Sequence, residues 1–284
     1  MTTQGKFVAS NDGTKIWADA SGNPSKPAVV FIHGLGCTSV AFDKQFTDKN
    51  LLDNLYLVRY EMRGHGRSDH PATAEAHTSI RYAEDFKAVN DAFGLNKPII
   101  LGWSLGSMIP VDVIEAYGAK TISGVILPGG PAITRALHDE YFHPELLRLF
   151  PLLMDSSGDS IGNAASAFVD SCVADPAAMP FETKLQWMGG FAMQSPTVRA
   201  LCANRAQPSD RWEKEIHDVP VLLIQGDQDT HADTEKMVPI ARKYFPKLDL
   251  HIFEGVGHAP FYERPTETNE LILDFVGRVV NGRT

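Results

Sequence analysis

The chain has 284 residues, 43% of them hydrophobic, and a formal net charge of −9. That length suits one large α/β domain carrying an insertion, or two small domains, and the acidic balance argues against non-specific contact with nucleic acid or an anionic membrane. Cys37, Cys172 and Cys202 are too few and too scattered for a disulfide framework or a zinc site. Residues 1–10 lack the apolar core of a signal peptide, and no stretch reaches the ~20 apolar residues of a membrane helix, so the expected location is the cytoplasm.

In chain order, residues 7–10 and 15–19 read as two strands around the turn Asn11-Asp12-Gly13. Residues 28–32 form a continuous apolar run, as expected of a strand buried on both faces. Residues 55–61 read as a further strand. Residues 79–93 carry the helical spacing Ile80, Ala83, Phe86, Val89 and Phe93, with Gly94 as a stop. A short buried strand follows at 98–101, then a helix at 106–117 with Pro110 early in it, then a strand at 122–127. From about 133 to 212 there are helical stretches and no clear strand. Strands at 219–225 and 248–253 alternate with helices at 234–244 and 266–280. The alternation implies a mostly parallel sheet covered on both faces, with the middle block as an inserted helical lid.

Gly102-Trp103-Ser104-Leu105-Gly106 matches G-x-S-x-G between a predicted strand and a predicted helix. That context makes Ser104 a candidate nucleophile on a strained turn, beside the positive end of a helix suited to a developing oxyanion. A serine capping a helix would read the same way locally. His33-Gly34-Leu35-Gly36 follows the strand at 28–32. By itself it is a glycine turn. Beside the serine turn it offers the Leu35 amide, which would pair with the Leu105 amide as an oxyanion hole, with His33 serving loop geometry.

Ten histidines compete for the role of base. His258 lies in a glycine-rich loop directly after the last predicted strand, where ligands are reached in open α/β sheets, and an imidazole suits proton transfer near neutral pH. His65 also follows a strand, but it precedes the serine, the wrong order for a G-x-S-x-G site. His138 and His143 are five apart, not the i, i+4 spacing of a helical metal pair, and no metal motif stands out elsewhere. The acid is expected in Gly226-Asp227-Gln228-Asp229, where Asp229 is favoured and Asp227 is the rival expected to bond turn amides.

Together these residues resemble the α/β-hydrolase fold family, in particular its lidded esterase, lactonase and epoxide-hydrolase-like branch. The resemblance rests on residues 33–36, Arg-Gly-His-Gly-Arg-Ser at 63–68, and residues 102–106, 226–229 and 257–260, and covers nearly the whole chain except the middle block. It implies an eight-stranded, mostly parallel sheet with helices on both faces, an inserted helical cap and no cofactor. The core would be 1–131 with 213–284, and the cap 132–212. It also implies a shaping role for Arg63 to Ser68. Glu61 is a departure, since the family often has aspartate there. Epoxide hydrolases and haloalkane dehalogenases of this fold carry an aspartate nucleophile, so Ser104 argues against both.

The middle block holds Phe142, Phe150, Phe168, Phe181, Trp187, Met188, Phe191 and Met193. Most should pack the lid on the core; Trp187, Met188 and Phe191 are the expected substrate-pocket residues. Arg135, Arg199, Arg205 and Arg211 would either clamp a substrate carboxylate or pair with nearby acids. The expected function is a serine hydrolase that cleaves a small to medium, largely apolar carboxylic ester through an acyl-enzyme, with Ser104, Asp229 and His258 as triad. A lactonase or C–C hydrolase with the same triad, and a ligand-binding receptor with little turnover, are the alternatives. The expected partner is a small-molecule substrate, with oligomeric state left open and a homodimer among the options.

Overall fold

The apolar runs of the sequence form the centre of the sheet. A computed structural model describes residues 5–130, 137–155, 157 and 160–283. Its strands are β1 (Lys6–Ala9), β2 (Lys15–Gly22), β3 (Ala28–Ile32), β4 (Tyr56–Tyr60), β5 (Ile99–Gly102), β6 (Gly124–Pro128), β7 (Val221–Gly226) and β8 (Leu248–Phe253). They make one sheet in the order β1-β2-β4-β3-β5-β6-β7-β8. β2 runs antiparallel to β1 and β4, and every pairing from β4 to β8 is parallel. β5, β6 and β7 are buried along their whole length, which is why they read as unbroken apolar runs rather than as alternating ones.

The chain leaves β3 toward β4 on one side and returns to β5 on the other. Right-handed crossovers travelling in opposite directions put their helices on opposite faces. The short helices Asp43–Phe46 and Lys49–Asn54, between β3 and β4, accordingly pack with Pro265–Val280, whereas Ser79–Ala92 packs on Ile109–Tyr117. The reversal also opens a crevice at the carboxyl ends of β3 and β5, where open α/β sheets bind ligands.

Two details depart from the sequence reading. The helix expected at 106–117 is α-helical only from Ile109 to Tyr117, and Ser104–Met108 is a tighter 3-10 turn. Pro110 has no N–H for Gly106, so the preceding turn closes with i→i+3 bonds such as Gly106 N–H to Trp103 O at 2.8 Å. The helices Asp43–Phe46 and Lys49–Asn54 were not foreseen. They are too short to show a period, although Asp48 caps the second by accepting from Leu51 N–H at 2.8 Å.

Between β6 and β7 the described chain is helical: Pro144–Leu153, Ile161–Ser171, Phe181–Met193 and Pro196–Ala203 are the longer segments. The last short helix, Asp210–Glu215, packs on the core helix Ile109–Tyr117, with the Arg211 amide 2.8 Å from a Glu115 carboxylate oxygen. Among the described residues no helix is long and apolar enough to cross a membrane, and no group of three or more His, Cys, Asp or Glu side chains is placed to hold a metal ion.

Candidate active site

Ser104 sits where β5 turns into the helix behind it. Its φ is +54°, and it is one of two non-glycine residues with positive φ among the described residues. That conformation costs on the order of 1–3 kcal/mol and persists only where the surroundings enforce it. Here they do. A Cβ on Gly102 would lie 2.5 Å from Gly106 O, and one on Gly106 would lie 2.3 Å from Ile32 O. Only glycine lets the turn fold back on itself and press against the end of β3. A Cβ on Gly34 would meet Ser104 Cβ at 3.1 Å, so the loop after β3 lies directly against the serine.

That loop is fixed from below by His33. Its Nε2 accepts from Met62 N–H at 3.1 Å, so its proton is on Nδ1, which donates to Gly34 O at 2.8 Å. Burial depresses the pKa of this ring, which stays neutral. Leu35 and Leu105, the expected oxyanion donors, both line the cavity that holds Ser104. Leu105 lies in the first turn of Ser104–Met108, where an amide lacks an intrahelical partner.

On the far side, His258 Nδ1 lies 2.8 Å from Asp229 Oδ2. Asp229 is buried and accepts three further bonds: from the amides of His231 (2.7 Å) and Ala232 (3.0 Å) and from Gln225 Nε2 (2.7 Å). Burial alone would raise its pKa; attraction to His258 and these bonds outweigh that and hold it at about 2. Asp227 is exposed and accepts from the Gly255 amide at 2.7 Å. His258 Nε2 is buried and makes no hydrogen bond among the described residues. It belongs to the same cavity as Ser104.

Three residues the sequence reading passed over hold these parts together. Trp103 Nε1 donates to His258 O at 2.9 Å, tying the serine turn to the histidine loop. Gln225 bridges the Asp229 carboxylate and the Gly130 amide, which donates to its Oε1 at 2.9 Å. The His231 ring lies against His258, with centroids 4.0 Å apart. Trp103 stood inside the motif and Gln225 directly before the acid turn, but nothing in their spacing announced a bond across the sheet.

The cavity measures ≈ 100 Å³. Its apolar wall comes from Phe142, Leu146, Phe150, Leu153 and Phe168 of the segment between β6 and β7. Trp187, Met188 and Phe191, the expected pocket residues, are not among the residues that line it. Phe191 stacks behind Phe168 with centroids 5.3 Å apart and presses on the loop after β3, where a Cβ on Gly36 would meet its ring at 2.7 Å. Trp187 packs between Trp103 (5.5 Å) and Tyr262 (5.2 Å), and Met188 packs against the core. The helix Phe181–Met193 therefore props the loop after β3 from behind.

The arginines divide. Arg205 is buried on Asp112 at 2.6 Å, and Arg211 pairs with Glu215 at 2.8 Å. Arg199 meets no acid among the described residues. It donates to the carbonyls of Leu153, Phe191 (2.9 Å) and Gln194 (2.8 Å), binding the carboxyl ends of two inserted helices, where a cation is favoured. Burial lowers its pKa to about 10. Arg135 lies outside the described residues. Of the rival histidine, His65 Nδ1 lies 3.2 Å from Arg63 O and its Nε2 lies 3.0 Å from Gln194 Nε2, in the core beneath the site. Arg63 itself is buried in a pair with Asp85 at 2.6 Å, in keeping with a shaping role for 63–68.

The profile of the Alpha/beta hydrolase family matches residues 29–271. The chain belongs to that family. Among solved structures, it superposes on an aryl-esterase candidate from Burkholderia cenocepacia with TM-score 0.89, 26% identity, and coverage of 98% of this chain and 100% of that one. The esterase RhEst1 from Rhodococcus sp. ECU1013 gives TM-score 0.87, also at 26% identity, with 98% and 100% covered. A non-heme chloroperoxidase from Streptomyces lividans is 26% identical over 95% of this chain and 98% of its own length.

Proposed function

We propose that this chain is a serine hydrolase that cleaves small carboxylic esters with apolar acyl groups through an acyl-enzyme, the segment 132–212 serving as its cap. The observation that carries the reading is the buried Asp229–His258 bond, whose free Nε2 belongs to the cavity containing a strained Ser104. The similarity to two esterases at 26% identity supports the ester as substrate.

His258, held by Asp229 in the tautomer with a proton on Nδ1, takes the Ser104 proton at Nε2 as Oγ attacks the ester carbonyl. The amides of Leu35 and Leu105 receive the charge that develops on the carbonyl oxygen. The tetrahedral intermediate collapses, His258 protonates the departing alcohol, and the acyl group remains on Ser104. Water, deprotonated by His258, attacks that ester; the acyl–Oγ bond breaks, His258 returns the proton to Ser104 Oγ, and the carboxylic acid is released. Asp229 stays ionised throughout, which its low pKa permits. The cavity of ≈ 100 Å³ is smaller than an engineered ~150 Å³ site that takes benzene, so short acyl chains fit best.

The test is hydrolysis of p-nitrophenyl acetate, butyrate and octanoate beside a lactone and an amide, with Ser104→Ala as blank. Expected are turnover of the short esters, labelling of Ser104 by a fluorophosphonate, and a loss of about 10⁴-fold or more in the variant. Full turnover in Ser104→Ala would falsify the reading, as would tight binding of these esters without hydrolysis by the wild type.

A further inference from the structure

His231 stood in no motif, yet it contacts both Asp229 and His258 and reaches the inserted helix Ile161–Ser171. Its amide donates to Asp229 Oδ1 at 2.7 Å. Its carbonyl accepts from His143 N–H at 2.9 Å, beside the bridge that pairs Phe142 with Ala232. Its ring lies over His258 at 4.0 Å with a 35° tilt and against Phe168 at 5.7 Å. Its Nε2 lies 2.8 Å from Ser171 Oγ, on the last residue of the inserted helix Ile161–Ser171.

We propose that His231 is a positioning residue that holds the His258 ring against Asp229 and ties that pair to the helix Ile161–Ser171. The inference rests on the serine-hydrolase reading and adds a residue to it. The Ser171 hydroxyl spends its one proton on Phe168 O at 2.8 Å, so it accepts from His231, whose proton is therefore on Nε2. The ring is neutral. Burial and the neighbouring His258 keep its pKa well below the ordinary imidazole value, against the pull of Asp229; His143 is the further titratable group facing it. A neutral ring there does not compete for the proton that His258 carries. It acts as a slab against one face of the base: His258 cannot swing off Asp229 without displacing His231, and His231 cannot move without breaking its bond to Ser171. Seating of the inserted helix thereby sets the direction in which Nε2 points.

The test is a double-mutant cycle on Ser171→Ala and His231→Phe, which keeps a flat ring and loses the tether. kcat and KM for p-nitrophenyl butyrate are measured per site labelled by fluorophosphonate, so that misfolded protein does not count. Expected are kcat losses of about fivefold and about tenfold with KM within about twofold, because small misplacements of a base act on the transition state. The double variant should lose about tenfold, not the fiftyfold product, because both changes cut one connection. The low-field proton resonance of the Asp229–His258 bond should broaden in His231→Phe. Losses that multiply, a KM change in place of a kcat change, or an unchanged resonance each overturn the proposal. Should His231→Phe not fold, an unaltered kcat in the milder Ser171→Ala does so alone. Full turnover in Ser104→Ala sinks this inference and the functional reading together; an inactive Ser104→Ala with multiplying losses sinks only this one.

Discussion

The loops at the carboxyl edge of the sheet and the helices inserted after β6 build the same cavity by different means. Each edge loop begins where a strand of fixed register ends. Ile32 pairs with both Tyr60 and Gly102, so the residues that follow emerge side by side whatever else the protein does. The inserted helices have no such frame. Whether Phe181–Met193 reaches the cavity or packs behind it depends on how the helix is set on its neighbours, and that setting comes from distant contacts such as Arg199 on three carbonyls. Chemistry placed by register is local information; a pocket wall placed by helix packing is not.

The sharpest way to break this comparison is at the edge. Asp229→Asn should keep the fold, because Asn still accepts from the amides of His231 and Ala232. It should nevertheless cost about 10³–10⁴ in kcat, because an amide no longer selects the His258 tautomer that leaves Nε2 bare. Asp227→Asn, two residues away and exposed, should stay within about twofold of wild type, since its bond is to a turn amide. Equal losses in the two variants would mean that the carboxylate on His258 is not what matters.

A smaller effect separates the pocket wall from its backing. Phe150→Ala enlarges the cavity from a lining position, so kcat/KM for the octanoate relative to the acetate should rise about tenfold, the worth of about 1–2 kcal/mol of added apolar contact. Trp187→Ala removes a ring packed on Trp103 and Tyr262. It should cost about 3 kcal/mol of stability and leave that ratio near the wild-type value. The reverse pattern would restore Trp187 to the pocket.

The same division explains what could be read from the sequence. The succession of strands along the chain and the turn that carries Ser104 follow from short-range signals, apolar runs and glycines that permit close approach, and the preference for Asp229 over Asp227 drew on turn chemistry together with the family resemblance. The expectation that Trp187, Met188 and Phe191 face the substrate used aromatic content alone, and aromatic side chains serve cavity walls and packing seams equally well. His231 was hidden for a related reason. Its partners, Ser171 and His258, are 60 and 27 positions away in the chain, and no local pattern marks a ring that stacks across a seam. The short helices after β3 were hidden by length.

Acid should loosen the seam before the sheet. Burial depresses the pKa of His33, His65, His77 and His231 below the ordinary imidazole value. Three of the four sit where the inserted segment meets the core: His65 lies on Gln194, His77 lies 3.6 Å from Cys202 Sγ, and His231 lies on Ser171. The unfolded chain takes up these protons near pH 6.5 and the folded chain only at lower pH, so their contribution is complete above about 6.5 and declines as pH falls. Each ring adds a slope of up to ~1.4 kcal/mol per pH unit. Asp229 works in a separate window: with its pKa held at about 2, its contribution persists until pH drops below the ordinary carboxylate range. Between pH 7.5 and 5.5, urea unfolding should therefore show a loss of a few kcal/mol. Amide exchange should rise in the helices Ile161–Ser171 and Pro196–Ala203 while β5 and β6 stay protected. If β5 and β6 open at the same pH as those helices, the insertion and the sheet unfold as one unit, and the contrast between them holds for how the site is built but not for how it comes apart.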